Sequence, residues 1–255
     1  MTLQGVTLEA ILITHWHPDH IGGIRDVLKA VNQANIPIYK RKLLEIPDSK
    51  ILSTYGIENP DDYTQFTFIE SNQVIETEGA HLKYELQAVH TPGHSTDHLC
   101  YLLEEENALF SGDCILGEGT TVFEDLHDYM NSLSKILNLK PKLIYPGHGP
   151  IVPDPQTTIE HYISHRQQRN EQILAALKDK DALEPMEITK IVYTDIAEQL
   201  YSAACHNVEN HLRMLEKQGQ VAMTIAAEQT SQVFREGETE VGENEGNIAY
   251  LYIKL

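Results

Sequence analysis

With 255 residues, 41% of them hydrophobic, the chain suits one α/β domain with a small appendage and can bury a sizeable core. No apolar run approaches the roughly 18–20 residues of a spanning helix, which excludes a helical membrane segment on sequence grounds. The formal net charge of −19 shows none of the basic footprint that drives affinity for phosphate backbones. Three cysteines, Cys100, Cys114 and Cys205, lack metal-type spacing and leave one unpaired, which points to buried thiols in a reducing compartment.

The first element in chain order is the apolar, β-rich run Ala10-Ile11-Leu12-Ile13-Thr14, read as a buried strand. It runs into His15-Trp16-His17-Pro18-Asp19-His20-Ile21-Gly22-Gly23, three histidines and an aspartate within six positions. Neutral imidazole nitrogen and carboxylate oxygen are the usual ligands of Zn²⁺ and its first-row neighbours. While the chain is still extended, His15 and His17 point the same way. Beyond Pro18 the backbone must bend, so Asp19 and His20 are expected to face a second ion. A helix is expected from Gly23 to about Ala34, with Ile24, Val27, Leu28 and Val31 on one face. Residues 40 to 66, with Pro47 and Pro60, read as an insertion loop, and strands are expected over about 66 to 115.

Three later turns complete a pattern. His90-Thr91-Pro92-Gly93-His94-Ser95 follows the alternating strand His81 to Val89, and Ser111-Gly112-Asp113 follows Ala108-Leu109-Phe110. Pro146-Gly147-His148-Gly149-Pro150 follows Leu143-Ile144-Tyr145. Each time a short strand meets a Gly- or Pro-bearing turn that presents a ligand-type residue, and strand ends of one scaffold converge on one edge. Seven such groups are too many for one tetrahedral ion, which takes about three protein ligands plus water. Shared between two ions, with Asp113 bridging, they give each about four protein ligands, which argues for a two-metal hydrolytic site. Histidine ligands must be neutral, so metal affinity is expected to collapse as pH falls through about 6. His98, four residues after His94, is expected to donate a proton to the leaving group, to anchor a ligand, or to be merely structural; the sequence leaves these open.

Downstream, Asp125 to Leu139 is expected to be helical, with Leu126, Tyr129, Met130, Leu133, Ile136 and Leu137 as its apolar stripe. Pro153-Asp154-Pro155 marks a boundary, followed by a long helix from Thr157 to Leu177. His165, Arg166 and Arg169 on that helix read as a solvated face, and His161, His206 and His211 as surface histidines. Met186 to Val192 and Ala204 to Lys217 read as two helices, followed by Gly219 and the strand-like Gln220 to Met223. That order resembles a degenerate winged helix, though Glu209 and Glu216 among the cations of its second helix favour a packing role over nucleic-acid readout. The expected division is a catalytic domain over 1–155, the long helix with the winged-helix-like part over 156–227, and an acidic, disordered tail over 228–255.

The blocks THWHPDHIGG, HTPGHS, FSGD and YPGHGP resemble, in order, the signatures of the metallo-β-lactamase superfamily. LEEENALFSGDCILGEGT and the later HRQQR are more specifically similar to the animal beta-lactamase-like protein 2 group, mitochondrial endoribonucleases acting on single-stranded RNA. The resemblance implies an αββα sandwich and two Zn²⁺ per chain. One ion would be held by His15, His17 and His94, the other by Asp19, His20 and His148, with Asp113 shared. Asp19 would also orient the nucleophilic water. Asp113 rather than a cysteine in the bridging position favours the nuclease, thioesterase and lactonase branches. Single-stranded RNA is the implied partner, with no membrane partner and a homo-oligomer left open. A mitochondrial matrix location follows from the resemblance alone, since no transit peptide is visible.

Charge weighs against the nuclease. The stretch after Ala227 carries a net of −4, leaving about −15 on the rest, so RNA engagement is expected to be weak and led by the metals. A glyoxalase-II-like thioesterase is the second enzyme reading, and a non-catalytic metal-bound scaffold the third. Met1-Thr2-Leu3-Gln4-Gly5 resembles a piece that relatives carry before their first strands, and Val6 to Ala10 then lead straight into the metal block. This predicts an internal deletion of N-terminal strands, an open sheet edge and poor solubility or weak activity.

Overall fold

The computed structural model describes residues 7–31, 36–44, 66–78, 83–178, 180, 182–225 and 250–254. The chain forms two compact units, residues 1–164 and 165–255. Their division falls inside the long helix rather than at Pro155.

In the first unit, β1 (Ile11–Leu12), β2 (Ile38–Lys40) and β3 (Phe66–Phe68) form a parallel sheet in the order β1-β2-β3. A second sheet runs β4 (Val74–Glu78), β5 (Lys83–His90), β6 (Leu99–Leu103), β7 (Ala108–Gly112) and β8 (Leu143–Pro146). Its first four strands are antiparallel hairpin neighbours, whereas β8 lies parallel to β7. A parallel pair needs a crossover, and the helix Leu126–Leu139 supplies it. The two sheets meet where the metal-ligand block begins: Leu99 N–H donates to the Thr14 carbonyl at 2.7 Å, and the Tyr101 hydroxyl to the Ile13 carbonyl at 2.8 Å.

Two short helices follow β1: α1 (Pro18–Ile21), with proline at its start where no N–H is needed, and α2 (Ile24–Val31). The apolar face expected on α2 is only partly used. Ile24 is buried and Leu28 packs beside it, but Val27 is 42% exposed. Residues 32–35 and most of the expected insertion loop, 45–65, lie outside the described residues. The crossover helix, α3, buries Leu126, Tyr129, Met130, Leu133 and Ile136, with Leu137 only half-buried. Asp125 caps it by accepting from the Asp128 N–H at 3.0 Å. The long helix α4 (Pro155–Ala176) comes next, and its Tyr162 hydroxyl lies 3.3 Å from the Gly119 carbonyl.

The second unit contains α5 (Pro185–Val192), α6 (Tyr201–Lys217) and the antiparallel pair β9 (Val221–Ile225) and β10 (Tyr250–Lys254). Ile173, Leu177, Ile188, Val208, Leu212, Leu215, Val221 and Tyr252 form its core. β10 corrects the expectation of a tail over 228–255. Its Tyr250-Leu251-Tyr252-Ile253 run is a strand sequence that the acidic stretch before it masked, and Tyr252 is buried. The acidic stretch 236–246 itself lies outside the described residues. Two surface assignments are also corrected. His211 is fully buried with Nδ1 2.6 Å from Asn170 Oδ1, and Arg166 is only 4% exposed. No helix among the described residues is long and apolar enough to cross a membrane.

Candidate metal centre

All seven expected ligands come together at one edge of the first unit, in two groups of ligand atoms each lying within 4.8 Å of one another. His15, His17 and His94 make the first. Their inward nitrogens form a triangle: His15 Nε2 to His17 Nδ1 3.0 Å, His94 Nε2 to His15 Nε2 3.1 Å, and His94 Nε2 to His17 Nδ1 3.0 Å. Ligands bound at about 2.0–2.1 Å to one tetrahedral ion stand roughly 3.3–3.4 Å apart, so this spacing fits a shared cation. The outer nitrogens set the tautomers. His94 Nδ1 donates to the Val122 carbonyl at 2.6 Å, and His15 Nδ1 lies 3.0 Å from Thr14 Oγ1, which turns lone pairs inward.

Burial disfavours the charged form throughout this group. It pushes His94 down to about 4, helped by His98 and His17 and opposed by the Val122 hydrogen bond. Burial depresses His15 further, reinforced by the imidazoles around it, and lowers His17 against the pull of Asp19 and Asp113.

The second group is Asp19, His20, Asp113 and His148. His20 Nε2 lies 3.2 Å from His148 Nε2, and His148 Nε2 lies 3.1 Å from Asp19 Oδ2. Asp113 reaches both groups with different oxygens. Oδ1 is 3.2 Å from His20 Nε2 and 3.5 Å from His148 Nε2, while Oδ2 is 3.7 Å from His94 Nε2. Burial raises the Asp113 carboxyl, yet His20, His94 and His148 more than offset this and hold it below the usual range. Asp113 Oδ1 is buried without a well-formed hydrogen bond among the described residues. Lone pairs and a carboxylate converging without protons between them are what a pair of cations would satisfy.

The backbone is shaped around these atoms. A Cβ on Gly147 would stand 2.5 Å from Asp113 Oδ1 and 2.8 Å from His20 Cε1, so only glycine lets the β8 turn pass. Gly93, at φ +127°, would put a Cβ 2.4 Å from the backbone of Tyr129.

His98 sits behind the ligands, and its surroundings correct the expectation that it donates a proton. It is fully buried, with Nε2 accepting from the Asp113 N–H at 3.2 Å and Nδ1 facing Thr91 Oγ1 at 2.9 Å. Both ring nitrogens are engaged, by the Asp113 N–H and by Thr91, which places His98 to hold Asp113 from behind. The sequence reading missed Thr91, although it lies inside HTPGHS, because a buried hydroxyl gives no pattern of its own. It also missed the Val122 carbonyl, which no residue type could announce. A further trio, Asp125, His127 and Asp128, clusters at the start of α3, where Asp125 is occupied as the helix cap.

Residues 3–148 match the metallo-beta-lactamase superfamily, and residues 185–228 match the beta-lactamase associated winged helix domain. The chain belongs to the metallo-β-lactamase superfamily. It is 41% identical over 235 residues to a beta-lactamase-like protein 2 homolog of Drosophila melanogaster, covering 91% of this chain and 76% of that protein. It is 40% identical over 172 residues to an atrochrysone carboxyl ACP thioesterase of Aspergillus fumigatus, covering 68% of this chain and 48% of that one. A beta-lactamase domain protein from Burkholderia ambifaria shares the fold at a TM-score of 0.71 and 20% identity, covering all of this chain and 76% of that one. The protein is therefore a metal-dependent hydrolase of this superfamily, with a binuclear site of histidine and aspartate ligands and a C-terminal winged helix.

Proposed function

We propose that the protein is a zinc-dependent endoribonuclease that cleaves single-stranded RNA. The observation that carries this is the asymmetry of the centre. His15 and His94 are buried, whereas the Asp19 and His148 side chains are 56% and 48% exposed. The open group forms a rim across which an extended phosphodiester can lie. The likeness of Glu104 to Thr121 to the beta-lactamase-like protein 2 group, and the 41% identity with a homolog of that name, favour this substrate. The mitochondrial compartment belongs to the same reading.

When bound, two zinc ions supply Lewis acidity that lowers the pKa of water and stabilises charge developing on the phosphate. The chain's own residues do the rest. Asp19, exposed at the rim, orients the attacking water and takes its proton on a carboxylate oxygen. Asp113 spans both ligand groups and is held by the hydrogen bond from its N–H to His98. Because water and not the ribose 2′-hydroxyl attacks, the products carry a 5′-phosphate and a 3′-hydroxyl.

A thioesterase is the second reading, favoured by the likeness to the fungal acyl-carrier-protein thioesterase. End-labelled single-stranded RNA, with and without chelator, separates the two. The nuclease predicts chelator-sensitive cleavage with 5′-phosphate ends. Turnover of S-lactoylglutathione or another acyl thioester without RNA cleavage selects the thioesterase.

A further inference from the structure

Behind the Asp113 loop lie two thiols that hydrolysis does not use. Cys100, on β6, and Cys114, the residue after Asp113, are both fully buried, and their side chains interact with each other. They converge on one carbonyl: the Cys114 N–H donates to Ser111 O at 3.1 Å, and the Cys100 thiol to the same oxygen at 3.4 Å. Cys100 Sγ is also 3.3 Å from Thr91 Oγ1, the hydroxyl that faces His98. One set of directions satisfies all of these bonds. Asp113 N–H donates to His98 Nε2, so His98 carries its proton on Nδ1 and donates to Thr91. The Thr91 hydroxyl is then left to donate to the Cys100 sulfur, whose own proton goes to Ser111. The thiol pair thus reaches the backbone of the bridging residue twice, through the chain at Cys114 and through three hydrogen bonds from Cys100 to the Asp113 N–H.

Buried cysteines usually act as small apolar fillers. These two instead touch each other and sit on the supports of one metal-ligating residue. We propose that Cys100 and Cys114 are a dithiol modification site, and that their oxidation to a disulfide withdraws Asp113 and empties the metal centre. The oxidant is a small hydroperoxide such as hydrogen peroxide. One thiol attacks it: an S–O bond forms, the O–O bond breaks, and one water leaves. The second thiol then attacks the sulfenic sulfur: the S–S bond forms, the S–O bond breaks, and a second water leaves. The pair loses two electrons and two protons, and a dithiol reductant returns them.

The magnitude decides the outcome. Two non-bonded sulfurs must close by on the order of 1.5 Å to reach the roughly 2.05 Å of a disulfide. Metal ligation tolerates displacements of only about 0.2 Å. The contraction pulls β6, which begins at the residue after His98, against the residue bonded to Asp113, so the bridging ligand is displaced.

The test uses the metal-loaded full chain exposed to graded hydrogen peroxide, with Cys205, the half-buried third thiol, as a control for oxidant access. Peptide mapping should show a Cys100–Cys114 link with the loss of two hydrogens. Metal content should fall from about two ions per chain to fewer than one, and dithiothreitol with added metal should restore it. Cys114→Ser, and independently Cys100→Ala, should retain metal under the same dose. The inference is overturned if both thiols stay reduced when Cys205 is fully oxidised, or if the link forms while both ions remain. It rests on the metal centre of the proposed function and not on the substrate. Failure alongside intact, chelator-sensitive RNA cleavage removes only the switch.

Discussion

The two ligand groups of the centre are made of similar residues yet are built on opposite terms. His15, His17 and His94 form an all-imidazole group set in the interior, with His15 1% and His94 7% exposed. Asp19, His20, Asp113 and His148 mix carboxylates with imidazoles, and two of the four stand half in solvent. The closed group has its lone pairs aimed before any ion arrives, since His94 is fixed by the Val122 carbonyl and cannot turn. The open group depends on one buried member, Asp113, which is positioned from behind by His98. Rigidity therefore resides in the first group and access in the second. A hydrolase needs both, because a substrate must displace something.

The largest expected effect removes the residue the two groups share. Asp113→Ala should abolish hydrolysis, by at least about 10³-fold, because it deletes the one carboxylate placed toward both groups. Elemental analysis should find fewer than one ion per chain. His148→Ala, by contrast, should lose only the second ion and keep about one. Two ions retained in Asp113→Ala would show that the groups are independent and the bridging role mistaken.

How much of this contrast was legible beforehand depends on the residue. The four ligand-bearing turns were visible because each combines a strand, a glycine or proline and a ligand-type side chain, and all seven ligands were placed at one edge. The strand at Ile11–Leu12, the helices α3, α5 and α6 and the winged-helix character also followed from periodicity. The difference in burial between the two groups was not legible. It arises from tertiary contacts such as Leu99 on Thr14 and Val122 on His94, which no local pattern encodes. Residue type alone assigns His211 and Arg166 to the surface, as for most polar side chains, whereas tertiary packing puts both inside. β10 was hidden by the low-complexity stretch that precedes it in sequence.

The second effect sharpens the comparison through pH. Ordinary histidines predict a metal affinity lost near pH 6, but burial takes His94 down to about 4 and lowers His15 and His17 as well. In the metal-free protein His94 is held near 4 against 6.5 in the unfolded chain. The folded value is the lower one, so its contribution to stability is full above about 6.5 and is lost as pH falls toward 4. Each pKa unit is worth about 1.4 kcal/mol, so charging this single residue on acidification costs the fold on the order of 3 kcal/mol. His15 and His17 shift in the same direction. Dialysis at stepped pH followed by elemental analysis should find at least one ion per chain retained at pH 5. Loss of both ions together at pH 6 would mean that burial does not protect the closed group.

The smallest effect lies behind the open group, at Thr91. Its hydroxyl accepts from His98 Nδ1, which leaves His98 Nε2 free to accept from the Asp113 N–H. Thr91→Val keeps the volume of this fully buried site but removes the acceptor, so His98 loses the partner that sets its tautomer. Supports of this kind change metal affinity by about 10–100-fold when lost. That loss should fall more heavily on the second ion, because the first keeps its three imidazoles, with His94 held separately by the Val122 carbonyl. Thr91→Ser restores the oxygen and should return affinity to within a few-fold of the parent, which a merely structural role for the methyl group would not do. Titration of the metal-free protein with zinc, with thermal unfolding as a check on folding, reads both ions. Equal weakening of both ions in Thr91→Val, or equal impairment in Thr91→Ser, would place Thr91 in general packing and leave Asp113 held by the chain alone.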